Sequence, residues 1–383
     1  MKELIDKGLR SAFHIWKEEL KRVFRDPGVI IFFLVVPFAY PVLYALIYNR
    51  ETAREVPMVV VDRSATPLSR EFIRKIDATP DVKILARCTG LEEAKAVVDA
   101  KQAYGTLFIP PSFAHDIRTG KQTSVSLFCD MGALLYYKAL LLATTEVSLE
   151  MRKETGTTTP AILYESVALY NTQNGFSSFL VPAILILVIQ QTLLLGIGML
   201  AGTARERKPS GGILPVDGNS YGGALRCVLG KSLAYLVIYI LVCGWALMLV
   251  PFLFHLPRMG NGTTLLLFTL PFMLACIFFS MTVSCLVTGR EIPMLLFVFM
   301  SVVLLFMSGI SWPLSAVPDA WRWISYLFPS TFGIQGFVKI NSMGASLTAI
   351  DFEYRALWLQ TGGYFVSSCL LHARQRIRRT YVS

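Results

Sequence analysis

Six runs of this chain contain no Asp, Glu, Lys or Arg, and each approaches the roughly 20 apolar residues that an α-helix needs to cross about 30 Å of hydrocarbon. They cover residues 29–48, 178–201, 232–254, 264–287, 292–311 and 356–373, and the only histidine among them, His372, stands at the end of the last. A soluble fold would have to cover all six, yet hydrophobic residues make up 54% of the chain and charged residues only 16%. That leaves too little polar surface to do so. The expected fold class is therefore an α-helical polytopic membrane protein with six transmembrane helices. Disorder, a collagen-like fibre and a disulfide-stapled miniprotein are excluded by the same apolar content and by seven thinly spread cysteines.

The first run follows 28 residues carrying seven basic groups, is filled with Phe, Leu and Tyr, and has no small-x-small cleavage site after it. It reads as a retained anchor. Lys and Arg in short flanks set orientation. Residues 1–28, the 202–231 connection, Arg290 and the tail 374–383 together hold seventeen of them, whereas Arg258, Arg322, Lys339 and Arg355 are the four on the opposite face. Both termini are expected in the cytoplasm of a bacterial cell, with the chain in the inner membrane. The net charge of +10 thus marks topology, and no nucleic-acid partner is expected.

This topology sends residues 50–176 outward as one block, with 15 basic and 15 acidic residues. Val56 to Asp62, Val82 to Leu85, Tyr104 to Ile109 and Ser124 to Cys129 read as strands. Ser69 to Ala78, Leu91 to Lys101 and Ala133 to Lys153 read as helices, the first opened by Pro67 or Ser69. The alternation predicts an inserted extracytoplasmic α/β domain between helices 1 and 2. It contains no nucleophile–base–acid set, and His115 with Asp116 reads as a surface pair in a loop.

Ahead of the first span, Ile5, Leu9, Phe13, Trp16, Leu20 and Phe24 recur at helical spacing among basic residues. This predicts an amphipathic interfacial helix over 1–28. A topology anchor and a packing brace for a cytoplasmic partner both fit it.

Gly230-Lys231-Ser232 resembles the end of a phosphate-binding loop, but the glycine that such a loop needs five positions before Gly230 is Leu225, and a span follows. Lys231 reads instead as an interfacial anchor. With no nucleotide site and no catalytic set, the chain is read as a non-enzyme. Ion-gradient coupling places Asp, Glu or His inside spans, and the span interiors carry none. Energy is expected from a partner that hydrolyses ATP.

Several landmarks resemble, in order, the membrane-spanning subunits of type-2 ABC exporters, the ABC-2 permeases with a large extracytoplasmic domain. They are Arg25-Asp26-Pro27 with Pro37; Val61-Asp62-Arg63-Ser64 with Pro67-Leu68-Ser69-Arg70; Gly105 to Phe113; Arg205-Glu206-Arg207-Lys208 with Gly211 to Val216; Gly230-Lys231; and Ser308 to Pro313 with Val317-Pro318, Trp321 and Phe328-Pro329-Ser330. Pro209 and Gly212 depart from the family's pattern. The resemblance implies a second permease chain in a homodimer or heterodimer, and two cytoplasmic ABC ATPase subunits that carry the ATP and Mg, with no cofactor or metal on this chain. It also implies that Arg205, Glu206, Arg207, Lys208, Gly211, Leu214 and Pro215 lie in the helix coupled to the ATPase, and that ATP-driven rocking exports the substrate outward. Whether a periplasmic adaptor docks on residues 50–176 is left open.

In the second span, Gln190, Gln191 and Thr192 need partners in hydrocarbon. Together with Tyr235 and Tyr239 of the third span they serve either structural hydrogen bonds or a substrate cavity. Gly198-x-x-x-Gly202 allows close helix approach. Gly309, Trp312, Pro313 and Trp321 suit an external gate within an aromatic re-entrant or interfacial segment over 312–355. Apolar spans with few polar positions fit membrane lipid or another lipophilic or amphiphilic cargo. A Cys88–Cys129 disulfide stays open, and Asn261-Gly262-Thr263 is read as a chance sequon. The rival reading is a membrane-anchored docking or sensing protein without transport.

Overall fold

The computed structural model describes residues 2–47, 54–129, 133–154, 176–207, 223–254, 258–312 and 316–380. It forms two compact units. Met1–Asn49 and Tyr170–Ser383 make a helical unit, and Arg50–Leu169 makes an α/β unit.

The chain begins with helix α1 (Lys2–Arg25) and turns at Asp26 into α2 (Pro27–Ile47). Asp26 caps α2 by accepting from the Gly28 and Val29 amides at 3.1 and 3.3 Å, and Pro27 occupies the first turn, where no N–H is needed. A wide turn at Ile31–Val35 precedes Pro37. A proline ring clashes with the carbonyl four residues back, and the wider turn relieves that clash.

The α/β unit follows as β1 (Val56–Asp62), α3 (Pro67–Asp77), β2 (Val82–Arg87), α4 (Leu91–Asp99), β3 (Gly105–Ile109), α5 (Phe113–Arg118), β4 (Ser126–Cys129) and α6 (Leu134–Glu154). The sheet order is β2-β1-β3-β4, parallel except for β4. Met58 and Val60 point into a core with Phe72 and Ile76 of α3 and Leu140 of α6, while Val59 and Val61 meet Ala94 of α4 on the other face. Asp62 accepts from the Ser64 and Ala65 amides and from Ser69 Oγ, and Thr66 forms a capping box with Ser69. That explains the Asp62-to-Ser69 landmark: it is a turn and a helix cap.

One reading changes in this unit, and one open question closes. His115 and Asp116 lie in the short helix α5, not in a loop. Cys88 and Cys129 are both free. Cys88 follows β2 and Cys129 ends β4, the two opposite edges, and three strand spacings of about 4.8 Å put them beyond disulfide reach.

The helical unit resumes with α7 (Phe176–Arg207), α8 (Ala224–Leu253), α9 (Gly262–Ser284), α10 (Ile292–Met307), α11 (Asp319–Ser325), α12 (Pro329–Met343) and α13 (Asp351–Thr380). Among the described residues, four helical stretches are long and apolar enough to cross a membrane: Pro27–Ile47, Leu180–Glu206, Ala224–Leu253 and Gly262–Ser284. The chain is thus multi-pass. The fifth apolar run forms α10, whose 16 residues rise about 24 Å. The sixth lies within α13, where Gln360, Thr361, Ser367 and Ser368 dilute the apolar character.

The connection expected over 202–231 is shorter, because α7 continues to Arg207 and α8 begins at Ala224. The glycine pair explains the extension. A Cβ at Gly202 would stand 2.6 Å from the Gly289 carbonyl oxygen, so only glycine lets α7 run that close beneath the turn before α10. The 312–355 segment holds more than an interfacial stretch: Phe332, Ile334, Phe337 and Ile340 of α12 are buried in the helical core.

Candidate functional site

A half-buried ion pair between Lys339 and Glu353, at 2.6 Å, ties α12 to the start of α13, and a larger polar cluster lies where several other helix ends meet. There Arg290 reaches Asp26 with both terminal guanidinium nitrogens, Nη2 at 2.6 Å and Nη1 at 3.0 Å, and Nη1 also donates to Thr203 Oγ1 at 3.2 Å. Glu206 accepts from the Arg290 amide at 2.6 Å. Next to it, Arg205 Nη2 donates to the Cys285 carbonyl at 2.6 Å, and Gln375 Nε2 adds a second bond to that oxygen at 3.1 Å. His372 Nδ1 stands 2.9 Å from the Ser368 carbonyl and 3.5 Å from Cys285 Sγ. Cations at a helix carboxyl terminus meet its unpaired carbonyls and its dipole, which is how Arg205 serves α9. One continuous tie therefore joins the start of α2, the ends of α7 and α9, the start of α10 and the end of α13.

A second group adjoins α1. Glu19 is 3% exposed, as is Lys231 of α8, and the two are 3.6 Å apart. Tyr235 donates to Glu19 Oε1 at 2.5 Å, and Arg22 approaches Oε2 at 3.4 Å. Burial pushes the Glu19 carboxyl up, but Lys231, Arg22 and the Tyr235 hydroxyl outweigh it, so its pKa lies below the ordinary carboxylate value. Lys231 is thus no interfacial anchor, since it is enclosed with its counter-charge. Among the described side chains of α1, Ile15, Glu19 and Val23 are buried, whereas Phe13 and Phe24 of the expected apolar face are exposed, and the side chains of Ile5 and Leu9 lie outside the described ones. The correction has a steric cause: α1 crosses α8 at Gly230, where a Cβ would lie 2.7 Å from the Ala12 carbonyl oxygen.

Among the residues expected to couple to a partner, Arg205 and Glu206 bond within their own chain, and Arg207 ends α7. Lys208, Gly211, Leu214 and Pro215 lie outside the described residues. The expected cavity residues are brought together in part. Tyr239 donates to Thr192 Oγ1 at 3.0 Å, and the Phe33 ring stands edge-on to Tyr235 and Tyr239. Gln190 Oε1 accepts from the Ser330 amide at 2.5 Å, the first turn of α12. The Nε2 groups of Gln190 and Gln191 are buried with no hydrogen-bond partner among the described residues. Of the gate residues, Gly309 has φ 86°, Trp312 and Trp321 are exposed, and Pro313 lies outside the described residues.

The sequence reading passed over Glu19 and gave Asp26 and Arg290 only landmark and topology roles. The one available signal for Glu19 was an acid in register with Ile15 and Val23 at four-residue steps.

Several long apolar helices packed in one unit define a multi-pass membrane protein. The family model for ABC-2 family transporter proteins matches residues 27–370, and the chain belongs to that family. It is a permease, the membrane component of an ABC transporter, a class that works with an ABC ATPase subunit. No curated protein matches the chain.

Proposed function

We propose that the chain is the membrane-spanning subunit of an ATP-driven exporter in the bacterial inner membrane, pairing with a second permease chain and with separate cytoplasmic ATPase subunits that bind ATP and Mg. The observation that carries this reading is the tie from Asp26 through Arg290 to Glu206 and Arg205. It braces the α7 side of the 208–223 connection against four other helix ends. A push delivered there by an ATPase would reach them together. The reading puts this end in the cytoplasm with both termini, takes α10 and α13 as fifth and sixth spans, and sets residues 50–176 outside, available to an adaptor. The unpaired Nε2 donors of Gln190 and Gln191 support a cargo whose oxygen acceptors are carried on a lipophilic or amphiphilic body. Gly309, Trp312, Pro313 and Trp321 form the external gate in this scheme.

The test is purification of the tagged chain from native membranes in mild detergent, with mass spectrometry of what stays bound and an ATPase assay. A bound nucleotide-binding subunit and vanadate-sensitive hydrolysis are expected. Their absence would favour the docking or sensing reading. One observation suits that alternative: a cleft of about 530 Å³ beside α4, lined by Leu91, Lys95, Val98, Thr106 and Phe128, has the size of a small-ligand site.

A further inference from the structure

We propose that Glu19 and Lys231 form a buried charged latch that makes α1 and α8 one moving element, so that displacement of the amino-terminal helix is delivered to the polar centre of the bundle. This rests on the permease reading. A helix that merely floats at a membrane surface buries apolar residues and keeps its charges wet. Among the described side chains of α1, the buried ones have Glu19 at their middle, between Ile15 and Val23, and the carboxylate is held by Lys231, Tyr235 and Arg22. Pulling α1 away from α8 would strip Glu19 of two of those three partners, which is strongly unfavourable for a buried charge. Sliding is blocked as well, because the Ala12 carbonyl and Ile15 sit directly on Gly230. The far end of the same helix face reaches the candidate cavity: Tyr239, one turn beyond Tyr235, bonds Thr192, and Phe33 of α2 packs edge-on against both tyrosines. The latch therefore links α1 to the α7 segment that carries Gln190 and Gln191. Glu19 and Lys231 act here as positioning residues.

Two measurements on the full chain test this. In the first, Glu19→Gln, Lys231→Met and their double variant are compared by melting in detergent. Each single change is expected to lower Tm by about 5 to 10 °C, and the double variant to recover part of the loss. Additive losses would overturn the latch. In the second, spin labels at the exposed positions Lys17 and Leu233, in a chain with its native cysteines replaced, report the α1–α8 distance without nucleotide and after vanadate trapping of the co-purified ATPase complex. One unchanged distance is expected, together with reduced ATP hydrolysis in the Glu19→Gln complex that the double variant partly restores. A distance that shifts between the two states would show that α1 moves separately and would overturn the proposal while leaving the permease reading intact. Failure of any ATPase to co-purify would instead count against the ATP-driven exporter reading, and the melting cycle would still decide whether the pair is coupled.

Discussion

Asp26 and Arg290 stand 264 positions apart in the chain and share a two-pronged ion pair at 2.6 and 3.0 Å. The same carboxylate caps α2 through the Gly28 and Val29 amides. One side chain therefore starts a span and fastens it to the turn before α10. The two tasks are separable by substitution. Asp26→Asn keeps an oxygen for the cap and loses the charge; Asp26→Ala loses both. Melting of the purified chain should rank wild type above Asp26→Asn above Asp26→Ala, with the last step near 1 kcal/mol, the usual value of a cap. Equal effects of the two variants would deny the cap a role.

Arg205 tests whether the charged run after the second span is a surface. Its guanidinium bonds the Cys285 carbonyl at 2.6 Å, so Arg205→Glu should lower Tm and set a carboxylate against the carboxyl end of α9. A surface cation would leave Tm within about 1 °C of wild type. The partner-binding effect of this substitution is to be read only beside its melting curve.

Close backbone approach makes a second pair of sites sensitive. Gly202→Ala would bring a Cβ to 2.6 Å of a carbonyl oxygen, and Gly230→Ala to 2.7 Å of another. Each should destabilise by about 1 to 3 kcal/mol. Gly230→Ala should in addition expose α1 to limited proteolysis, whereas Gly202→Ala should not.

The cysteines of the α/β unit should be free thiols. Burial pushes the Cys129 thiol up to about 11 and raises that of Cys88 as well. Alkylation of the folded protein at pH 7 should be slow at both positions, and the mass should be unchanged by reductant. A loss of two mass units relative to the reduced chain would contradict the sheet order.

Glu19 sets a pH dependence whose sign follows from its lowered pKa. Its contribution to stability is complete above the ordinary Glu value of about 4.3 and is lost as pH falls through the lower folded value. The Tm difference between wild type and Glu19→Gln should hold from pH 8 to pH 6 and shrink below about pH 4. A difference that instead shrinks between pH 8 and pH 6 would mean that the carboxyl is not held in its charged form.

Much of this protein was written locally. Uncharged apolar runs marked the long apolar helices, four of which are long enough to cross a membrane among the described residues, because hydrocarbon demands a helix wherever a chain crosses it. Alternation placed four strands in the α/β unit, and Pro67 and Ser69 marked the start of α3, since a helix start needs only neighbours within one turn; the structure adds Thr66 as its cap. The landmarks from Arg25 to Ser330 identified the family. The longer α7, the buried α12, the free cysteines and the pairing of Glu19 with Lys231 were not written that way. Each depends on which helix faces or sheet edges meet, and that is set by packing across distant segments. Lys231 looked like an anchor because a lysine at a span end usually reaches water. Only the crossing of α1 over Gly230 encloses it with a carboxylate. By itself, the sequence marked the long apolar segments and the segments that fold into a sheet. The tertiary structure alone decided which charges close on one another, because a buried charge is tolerated only where packing brings its partner within reach.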